Sequence, residues 1–239
     1  MVAGGATDQH DLPRLQVAGE QPAVGIGVIP SAGVGLLPRT LAALARARPD
    51  LEVTSRVSTT PSLARSLRAG TLDLAVLTSR PPHRPVDGES PVLAVVPLAE
   101  HRLQVAVPAD GPLGARSAVD LADLVDGSWI ATPSRSDEPQ LGAWPSLPGR
   151  PRLAHAAGGW ATKLQLVAAG CGITTVSPLI APAAPAGIRI VPVRDGPAEI
   201  RRVSAAHLPG RCDQAAEAVI EALSAEARAL GQGADSVEG

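Results

Sequence analysis

The sequence lacks several residue types on which common binding functions depend. It has no phenylalanine and no tyrosine, and its aromatic residues are three tryptophans. A chain with so few aromatic side chains offers little for the base stacking used in single-stranded nucleic-acid binding. Ala, Val, Leu and Ile must therefore fill the core, which many small side chains can do at normal density. Hydrophobic residues make up 45% of the 239 residues, a normal share for a folded domain.

An excess of charge of one sign is also missing. Lys and Arg number 21 against 23 Asp and Glu, a formal net charge of −2, so no strong field favours nucleic acid or an anionic membrane. No apolar run approaches the ~20 residues of a membrane span, and residues 1–19 lack the basic start and apolar run of an export signal. We therefore expect a cytoplasmic protein that makes no membrane contact.

Cysteine is scarce. The chain has two cysteines, and although one disulfide is arithmetically possible, the pattern differs from that of disulfide-stapled secreted domains. Two free thiols fit a reducing compartment. Cys171 lies between two glycines and is predicted to be a small buried residue. Cys212 precedes a predicted helix, a position that can lower the pKa of a thiol.

Motifs of enzymes and metal sites are absent from the sequence. It contains no His-Glu-x-x-His, no Cys-x-x-Cys and no Gly-x-Ser-x-Gly. Gly25 and Gly27 lie within a predicted strand and lack the third glycine of a dinucleotide-binding loop. The five histidines are scattered singly, so no metal-binding set is visible. We expect no catalytic residue, cofactor or metal, since an enzyme on this chain would need an acid, a base and a nucleophile converging in one cleft.

Strands and helices alternate in the first third of the chain. The hydrophobic pattern predicts strands at 23–29, 51–57 and 72–77, with helices at 36–48 and 60–70 between them. This alternation favours a parallel sheet with right-handed crossovers. Further strands are predicted at 92–97, 102–108, 129–132, 151–157, 173–176, 188–193 and 200–206, and helices at 119–124, 161–169 and 213–230. Asp73, between two leucines, is predicted to be a structural hydrogen-bond acceptor.

A family resemblance is carried by short stretches that follow one another in a fixed order. The stretches are Gly25-Ile-Gly-Val-Ile-Pro-Ser31, Leu36-Leu-Pro-Arg39, Arg48-Pro-Asp-Leu-Glu-Val53, Leu67-Arg-Ala-Gly-Thr-Leu-Asp-Leu-Ala-Val76, Pro97-Leu-Ala-Glu-His-Arg-Leu103, Pro112-Leu-Gly-Ala, Asp120-Leu-Ala-Asp-Leu124 and Leu166-Val-Ala-Ala-Gly-Cys-Gly-Ile173. Together, from about Ala23 to about Leu230, they resemble the effector-binding domain of LysR-type transcriptional regulators. The fourth stretch is close to that family's L-x-x-G-x-L-D-L-A-I, and the last to its L-V-A-A-G-x-G-I.

The resemblance implies an α/β fold of the type 2 periplasmic-binding-protein kind, with two Rossmann-like lobes joined by a two-crossover hinge. We expect lobe I at 23–97 plus 198–230, lobe II at 98–197, and disordered tails at 1–22 and 231–239. The hinge is predicted near Pro97 to Glu100 and near Asp195 to Ile200. The family's helix-turn-helix would precede this domain, and only about 22 irregular residues do so here. We therefore expect no direct nucleic-acid contact from this chain.

The same fold implies a ligand cleft between the lobes, where free N–H groups at helix starts favour small anions. The candidate ligand-binding residues are Ser31, Thr59, Thr60, Thr78, Thr132 and Trp160, and the family resemblance places contacts near Ser31, Thr60 and Thr132. Helix capping is the alternative role for Ser31, Thr59 and Thr60, and for Thr59 it is the preferred one. Thr78 and Thr132 could be ordinary loop residues, and Trp160 could be a core anchor.

The sequence thus predicts a small-molecule effector-binding domain of a LysR-type regulator that closes around a small anionic metabolite. Its partners would be the effector and either a second copy or an intact regulator. A cytoplasmic solute-binding protein and a truncated, non-functional regulator remnant are the alternatives.

Overall fold

The computed structural model describes residues 22–81, 90–132 and 142–235, which alternate between strands and helices over most of their length. In chain order the elements are β1 (Ala23–Val28), α1 (Pro30–Val34), α2 (Leu36–Ala47), β2 (Glu52–Val57), α3 (Thr60–Arg68), β3 (Leu74–Ser79), β4 (Ala94–Arg102), β5 (Gln104–Pro108), α4 (Leu121–Val125), β6 (Trp129–Ala131), β7 (Leu153–Ala156), α5 (Trp160–Ala168), β8 (Thr174–Val176), a 3₁₀ helix (Pro178–Ala183), β9 (Ile188–Pro192), β10 (Ile200–His207) and α6 (Gln214–Asp235).

A five-stranded sheet organises the first part of the molecule, in the order β2-β1-β3-β10-β4. Strand β1 is parallel to β2 and β3, as the alternation predicts, whereas β10 returns from the far end of the sequence and pairs antiparallel with β3 and β4. Helix α3 packs against β1 and β3, and α6 packs against α2, β1 and β4. We call this sheet with α1, α2, α3 and α6 lobe I, and the elements from β5 to β9 lobe II.

The core of lobe I depends on close packing of small and aliphatic side chains. Buried Val, Ile, Leu and Ala residues from β1, β3, α2, α3 and α6 form one continuous cluster. Gly27 illustrates how tight this packing is, because a Cβ there would overlap the Leu63 side chain of α3. The backbone N–H of Gly25 donates a 2.8 Å hydrogen bond to Oδ2 of Asp73, which confirms the predicted acceptor role of Asp73. These glycines therefore serve strand packing and not a dinucleotide loop.

Lobe II contains two small sheets and holds the three tryptophans of the chain. Strands β8, β5 and β9 form an antiparallel sheet in that order, and β6 pairs with β7 in parallel. A bridge between Trp129 and Ile173 joins the two sheets. One buried cluster contains Trp129 and Trp144, and a second packs beneath α5. These tryptophans supply the large aromatic side chains of lobe II, in place of the missing Phe and Tyr.

The chain passes between the lobes at positions that differ in part from those expected. Strand β4 stays paired with β10 through Arg102, and the N–H of Leu103 then donates to the carbonyl of Glu199 at 2.9 Å. The hinge predicted at Pro97 to Glu100 lies inside a paired strand, and the crossing to lobe II follows a few residues later. A bulge at Leu98 interrupts its register. The return passage lies between β9 and β10, and the predicted segment 195–200 overlaps it.

Two local features also differ from the sequence-based expectation. Pro30 to Val34, which lie between the predicted strand at 23–29 and the predicted helix at 36–48, form α1, because Pro is tolerated in the first turn of a helix. Helix α6 continues to Asp235, so the tail predicted at 231–239 is helical in its first part. The rest of it, and residues 1–21 of the other predicted tail, lie outside the described residues. Within the described ranges, no helix has both the length and the apolar character needed to cross a membrane.

Candidate ligand-binding site between the lobes

The lobes meet where α1 faces α5 and the 3₁₀ helix. Val34 of α1 packs against the second core cluster of lobe II, as Trp160 does. In the 3₁₀ helix, Leu179 belongs to the core of lobe I and Ile180 to that of lobe II. A Cβ at Gly35, between α1 and α2, would overlap the carbonyl oxygen of Leu179. The two lobes are therefore in direct backbone contact at this junction.

Ser31 lies at the lobe junction. It is half-buried and shares a face of α1 with Val34, since residues three apart in a helix are neighbours. The N-cap of α1 is Ile29, with no capping by a side chain. The capping role considered for Ser31 is therefore wrong. Ser31 therefore lies beside the contact between the lobes, and its predicted ligand contact stays a prediction.

Thr60 and Thr78 contact each other at the end of β3. The N–H of Thr78 donates a 3.3 Å hydrogen bond to Oγ1 of Thr60, and both residues are half-buried. Thr59 is the N-cap of α3, but its side chain makes no capping hydrogen bond and is exposed. The capping role predicted for Thr59 and considered for Thr60 is therefore wrong. Thr60 instead fixes the end of β3 beside the start of α3.

In lobe II, a buried lysine brings two predicted site residues together. The ammonium of Lys163 donates a 2.8 Å hydrogen bond to Oγ1 of Thr132 and lies 4.8 Å from the centre of the Trp160 ring. Thr132 follows β6 directly, and Trp160 begins α5 one turn before Lys163. Thr132 and Trp160 are half-buried, whereas Lys163 is 2% exposed. Burial lowers the pKa of Lys163 to about 8, because a low-dielectric environment disfavours its charged form.

Gly142 forms the wall opposite this ammonium. Its φ is +122°, and a Cβ there would meet the backbone of Ile130 and Ala131 and come within 3.1 Å of Lys163 Nζ. The carbonyl of Gly142 accepts hydrogen bonds from the Thr175 N–H at 2.8 Å and the Thr174 hydroxyl at 3.3 Å. Hydrogen bonds therefore fix the backbone of Gly142 beside the ammonium, and little space remains there for a larger cation.

A separate cavity of about 560 Å³ opens beside the crossover between the lobes. Residues from β4, β10, α6 and the 3₁₀ helix line it, including Glu100 and Leu179. Glu100 forms an ion pair with Arg202 at 2.9 Å. None of the predicted site residues lines this cavity, so it is distinct from the junction between α1 and α5.

The cysteines have no sign of an activated thiol. Cys171 and Cys212 are both free and half-buried. Burial, together with the negative charges of Glu217 and Asp213, raises the pKa of Cys212, so the lowered pKa considered for this thiol is wrong. Cys171 is more exposed than predicted. Among the described residues, no group of three or more His, Cys, Asp or Glu side chains is placed to hold a metal ion.

Comparison with known proteins decides the family. The family model of the LysR substrate binding domain matches residues 18–228. The chain belongs to this family. Solved LysR-type effector-binding domains share the fold, which confirms the expected α/β class with two lobes of the type 2 periplasmic-binding-protein kind.

Curated relatives of this LysR domain are transcriptional activators. The Hca operon transcriptional activator HcaR of Escherichia coli (strain K12) is 28% identical over 171 residues, which are 69% of this chain and 55% of that protein. The hydrogen peroxide-inducible genes activator of Dickeya chrysanthemi is 34% identical over 99 residues, 41% of this chain and 30% of that protein. The chain therefore spans about half the length of HcaR, and its match to the second activator is shorter still.

Among solved structures, the reduced form of OxyR has a TM-score of 0.66 at 27% identity, with 86% of this chain and 96% of that chain covered. The BenM effector-binding domain with its effector benzoate has a TM-score of 0.68 at 23% identity, covering 88% and 94%. The effector-binding domain of QuiR in complex with shikimate has a TM-score of 0.63 at 18% identity, covering 87% and 98%. The last two likenesses concern the fold.

Lys163 is the residue of this LysR domain that the sequence analysis missed. Thr132 and Trp160 were predicted as site residues, but the side chain that joins them was not. Two signals were present: the chain has a single lysine, and that lysine occupies an apolar helical position, three residues after Trp160 and four before the buried Val167. A cation on the core-facing side of a helix is unusual, since charged residues are rarely fully buried.

Proposed function

We propose that the chain is the effector-binding module of a LysR-type transcriptional regulator and that it senses a small anionic organic molecule between its lobes. The observation that supports the proposal is the junction of α1 with α5, where Val34 of lobe I and Trp160 of lobe II pack against the same core cluster and Ser31 lies on the same short helix as Val34. Thr60 and Thr78 supply further polar groups at the end of β3. The module acts in the cytoplasm by binding and not by catalysis.

The mechanism is a change in how the lobes meet. A ligand in contact with both lobes favours the closed arrangement by the difference between its affinities for the closed and open states. The two passages between the lobes, at Leu103 and between β9 and β10, are short and can absorb a rotation. The signal passes to a protein partner, either a second copy or an intact regulator, because the named relatives are transcriptional activators.

A thermal-shift screen tests the proposal. Small carboxylates, amino acids and neutral organic compounds are added to the folded protein, and a ligand at about 100 times its Kd should stabilise it by about 2.7 kcal/mol. For a chain of this size, that is a shift of roughly 5–10 °C at the unfolding midpoint. Small-angle scattering with and without a hit should show a decrease in radius of gyration.

Matched variants locate the hit. Ser31→Ala and Thr132→Val should reduce the shift at fixed ligand concentration, whereas Ser117→Ala, at an exposed serine of lobe II, should leave it unchanged. A folded protein that no compound stabilises, or a hit that survives both site variants at full strength, contradicts the proposed sensing cleft.

A further inference from the structure

The cavity beside the crossover lies apart from the junction of α1 with α5. Its volume of about 560 Å³ is within the range of sites that enclose small molecules, roughly 300–1,000 Å³. Strands β4 and β10 and helix α6 of lobe I form part of its wall, and the start of β5 and the 3₁₀ helix of lobe II form the rest. A molecule inside it would therefore contact both lobes where the chain crosses from one to the other.

Apolar side chains from four elements line this crossover cavity. They belong to Ala99, Pro178, Leu179, Ile200, Ala227 and Leu230. Leu179 is buried in the core of lobe I, whereas Ile200 and Leu230 are half-buried and leave apolar surface at the cavity. Burying apolar surface of a ligand against such walls is favourable, so the cavity suits a ligand with a hydrocarbon body.

The charged residues that line the cavity are of opposite sign. Glu100 and Arg102 are both exposed, and Glu100 forms the 2.9 Å ion pair with Arg202. Burial, and secondly the charge of Arg201, lowers the pKa of the lining residue His101 to about 4, so its ring is neutral at pH 7. A charged ligand would lose hydration against the apolar walls, which is costly, without meeting a net opposite charge. The lining therefore favours a neutral ligand.

Gln104 supplies the hydrogen-bonding group of the cavity. It is half-buried, and within the described part of the chain its carboxamide makes no hydrogen bond. A carboxamide carries an acceptor oxygen and donor N–H groups side by side. An amide ligand presents the same two groups in the reverse order and can form two hydrogen bonds with it. A carboxylate has acceptors alone, so one of its oxygens would face the carbonyl oxygen of Gln104.

We propose that the crossover cavity is a second ligand site, which binds a small neutral amide with an apolar body. The amide group pairs with the carboxamide of Gln104, and the body packs against Leu179, Ile200 and Leu230. This site is separate from the sensing cleft of the proposed function, because none of the residues predicted for that cleft lines the cavity.

A ligand in this site restrains the passage between the lobes. The N–H of Leu103 donates to the carbonyl of Glu199 at 2.9 Å, and the next residue after each of these two, Gln104 and Ile200, lines the cavity. A molecule that contacts both Gln104 and Ile200 holds the two chain segments together. Exchange of the Leu103 amide hydrogen, which requires opening of this hydrogen bond, should therefore become slower when the site is occupied.

The experiment compares amides with their matched acids on the full chain. The amides are cyclohexanecarboxamide, hexanamide and ε-caprolactam, and the acids are cyclohexanecarboxylate and hexanoate. Binding is followed by nuclear magnetic resonance titration of protein labelled at its leucine and isoleucine methyl groups. The signals of Leu179, Ile200 and Leu230 report the site directly.

Two variants with matched controls test the contacts. Gln104→Leu removes the hydrogen-bonding group at similar size, and Gln165→Leu, at an exposed position of α5, is its control. Leu230→Trp fills the cavity, and Ala229→Trp, at the exposed neighbouring position of α6, is its control. The unfolding midpoint and near-ultraviolet circular dichroism verify that each variant is folded.

We expect at least one amide to shift the three reporter signals, to bind more tightly than its matched acid, and to slow exchange at Leu103. Gln104→Leu should weaken its binding about 5- to 10-fold, as the loss of a hydrogen bond predicts. Leu230→Trp should abolish binding, and both control variants should leave it unchanged.

Four results overturn the inference. They are the absence of any shift of the reporter signals with every amide, amide affinity that is unchanged in Gln104→Leu, amide binding that survives Leu230→Trp, and an acid that binds in the cavity more tightly than its amide. Each of them leaves the proposed function in place, because ligands of the sensing cleft are identified separately by Ser31→Ala and Thr132→Val.

Discussion

Nε2 of His101 lies 2.8 Å from the hydroxyl of Ser177, next to the passage from lobe I to lobe II. His101 is near the end of β4, and Ser177 precedes the 3₁₀ helix and accepts a hydrogen bond from the N–H of Leu179 at 3.3 Å. The pair therefore connects β4, which leads out of lobe I, with the 3₁₀ helix. Leu179 of this helix lies in the core of lobe I and Ile180 in that of lobe II. Burial, and secondly the charge of Arg201, lowers the pKa of His101 to about 4.

This pKa predicts a loss of stability in mild acid. The unfolded chain takes up a proton on His101 near pH 6.5, whereas the folded protein does so only near pH 4. The contribution of neutral His101 to the free energy of unfolding is therefore fully present above pH 6.5 and is lost as the pH falls towards 4. The loss is at most about 3 kcal/mol. Urea unfolding between pH 4 and 7 measures it. His101→Gln should flatten the profile relative to His155→Gln, which changes an exposed histidine; equal profiles would refute the assignment.

Gly35→Ala tests the backbone contact between the lobes. The backbone of Gly35 has φ −107° and ψ −55°, a conformation open to alanine, so a cost can arise only from the overlap of the new Cβ with the Leu179 carbonyl. We expect a loss of about 2–3 kcal/mol in the free energy of unfolding. Gly158→Ala, where nothing lies within 4 Å, is the control. Equal stability of the two variants would mean that the lobes do not meet this closely in solution.

Thr60 should contribute to stability through its oxygen. Thr60→Ala removes the acceptor of the N–H of Thr78, a half-buried residue. The free energy of unfolding should therefore fall by about 1 kcal/mol. Thr60→Ser keeps the oxygen and should recover most of it. Thr59→Ala, at an exposed hydroxyl that makes no cap, should change stability by less than about 0.5 kcal/mol. Chemical denaturation of the three variants is the measurement, and an equal loss at Thr59 would contradict the distinction drawn between the two residues.

Lys163 should make the stability of the protein depend on pH above 8. Its folded-state pKa of about 8 lies below the ordinary 10.5, because burial disfavours the charged form. Between pH 8 and 10.5 the unfolded state therefore holds more protons, and the unaltered protein gains stability with rising pH. Lys163→Met should lack this gain, which urea unfolding of both proteins across the window measures. The same rise with pH in both proteins would show that another group causes it.

Much of the secondary structure could be predicted because buried parallel strands have an apolar signature that depends on few residues. The strands of lobe I, for example, are short β-branched runs followed by turn residues, and the helices between them repeat leucine at helical spacing. The antiparallel return of β10 beside β3 has no such local signal. It depends on pairing between residues more than 100 positions apart, as between Val203 and Thr78.

The segments that were predicted incorrectly lie where the lobes meet. The segment Pro30 to Gly33 has the composition of a turn, yet α1 forms there because it packs against lobe II. Pro97 lies inside β4, which accommodates it next to a bulge and stays paired with β10 through Arg102. In both cases contacts with a distant part of the chain outweigh a weak local preference.

The sequence by itself determined the alternation of strands and helices, the family and the hydroxyl residues at the ends of strands, because each of these depends on short stretches of neighbouring residues. Only the tertiary structure decided which of these residues meet. Thr132 and Lys163 are 31 positions apart, and the burial of the ammonium depends on β6, Gly142 and α5 packing around it. Burial and charge environment are properties of the whole fold, and they give this single lysine its lowered pKa.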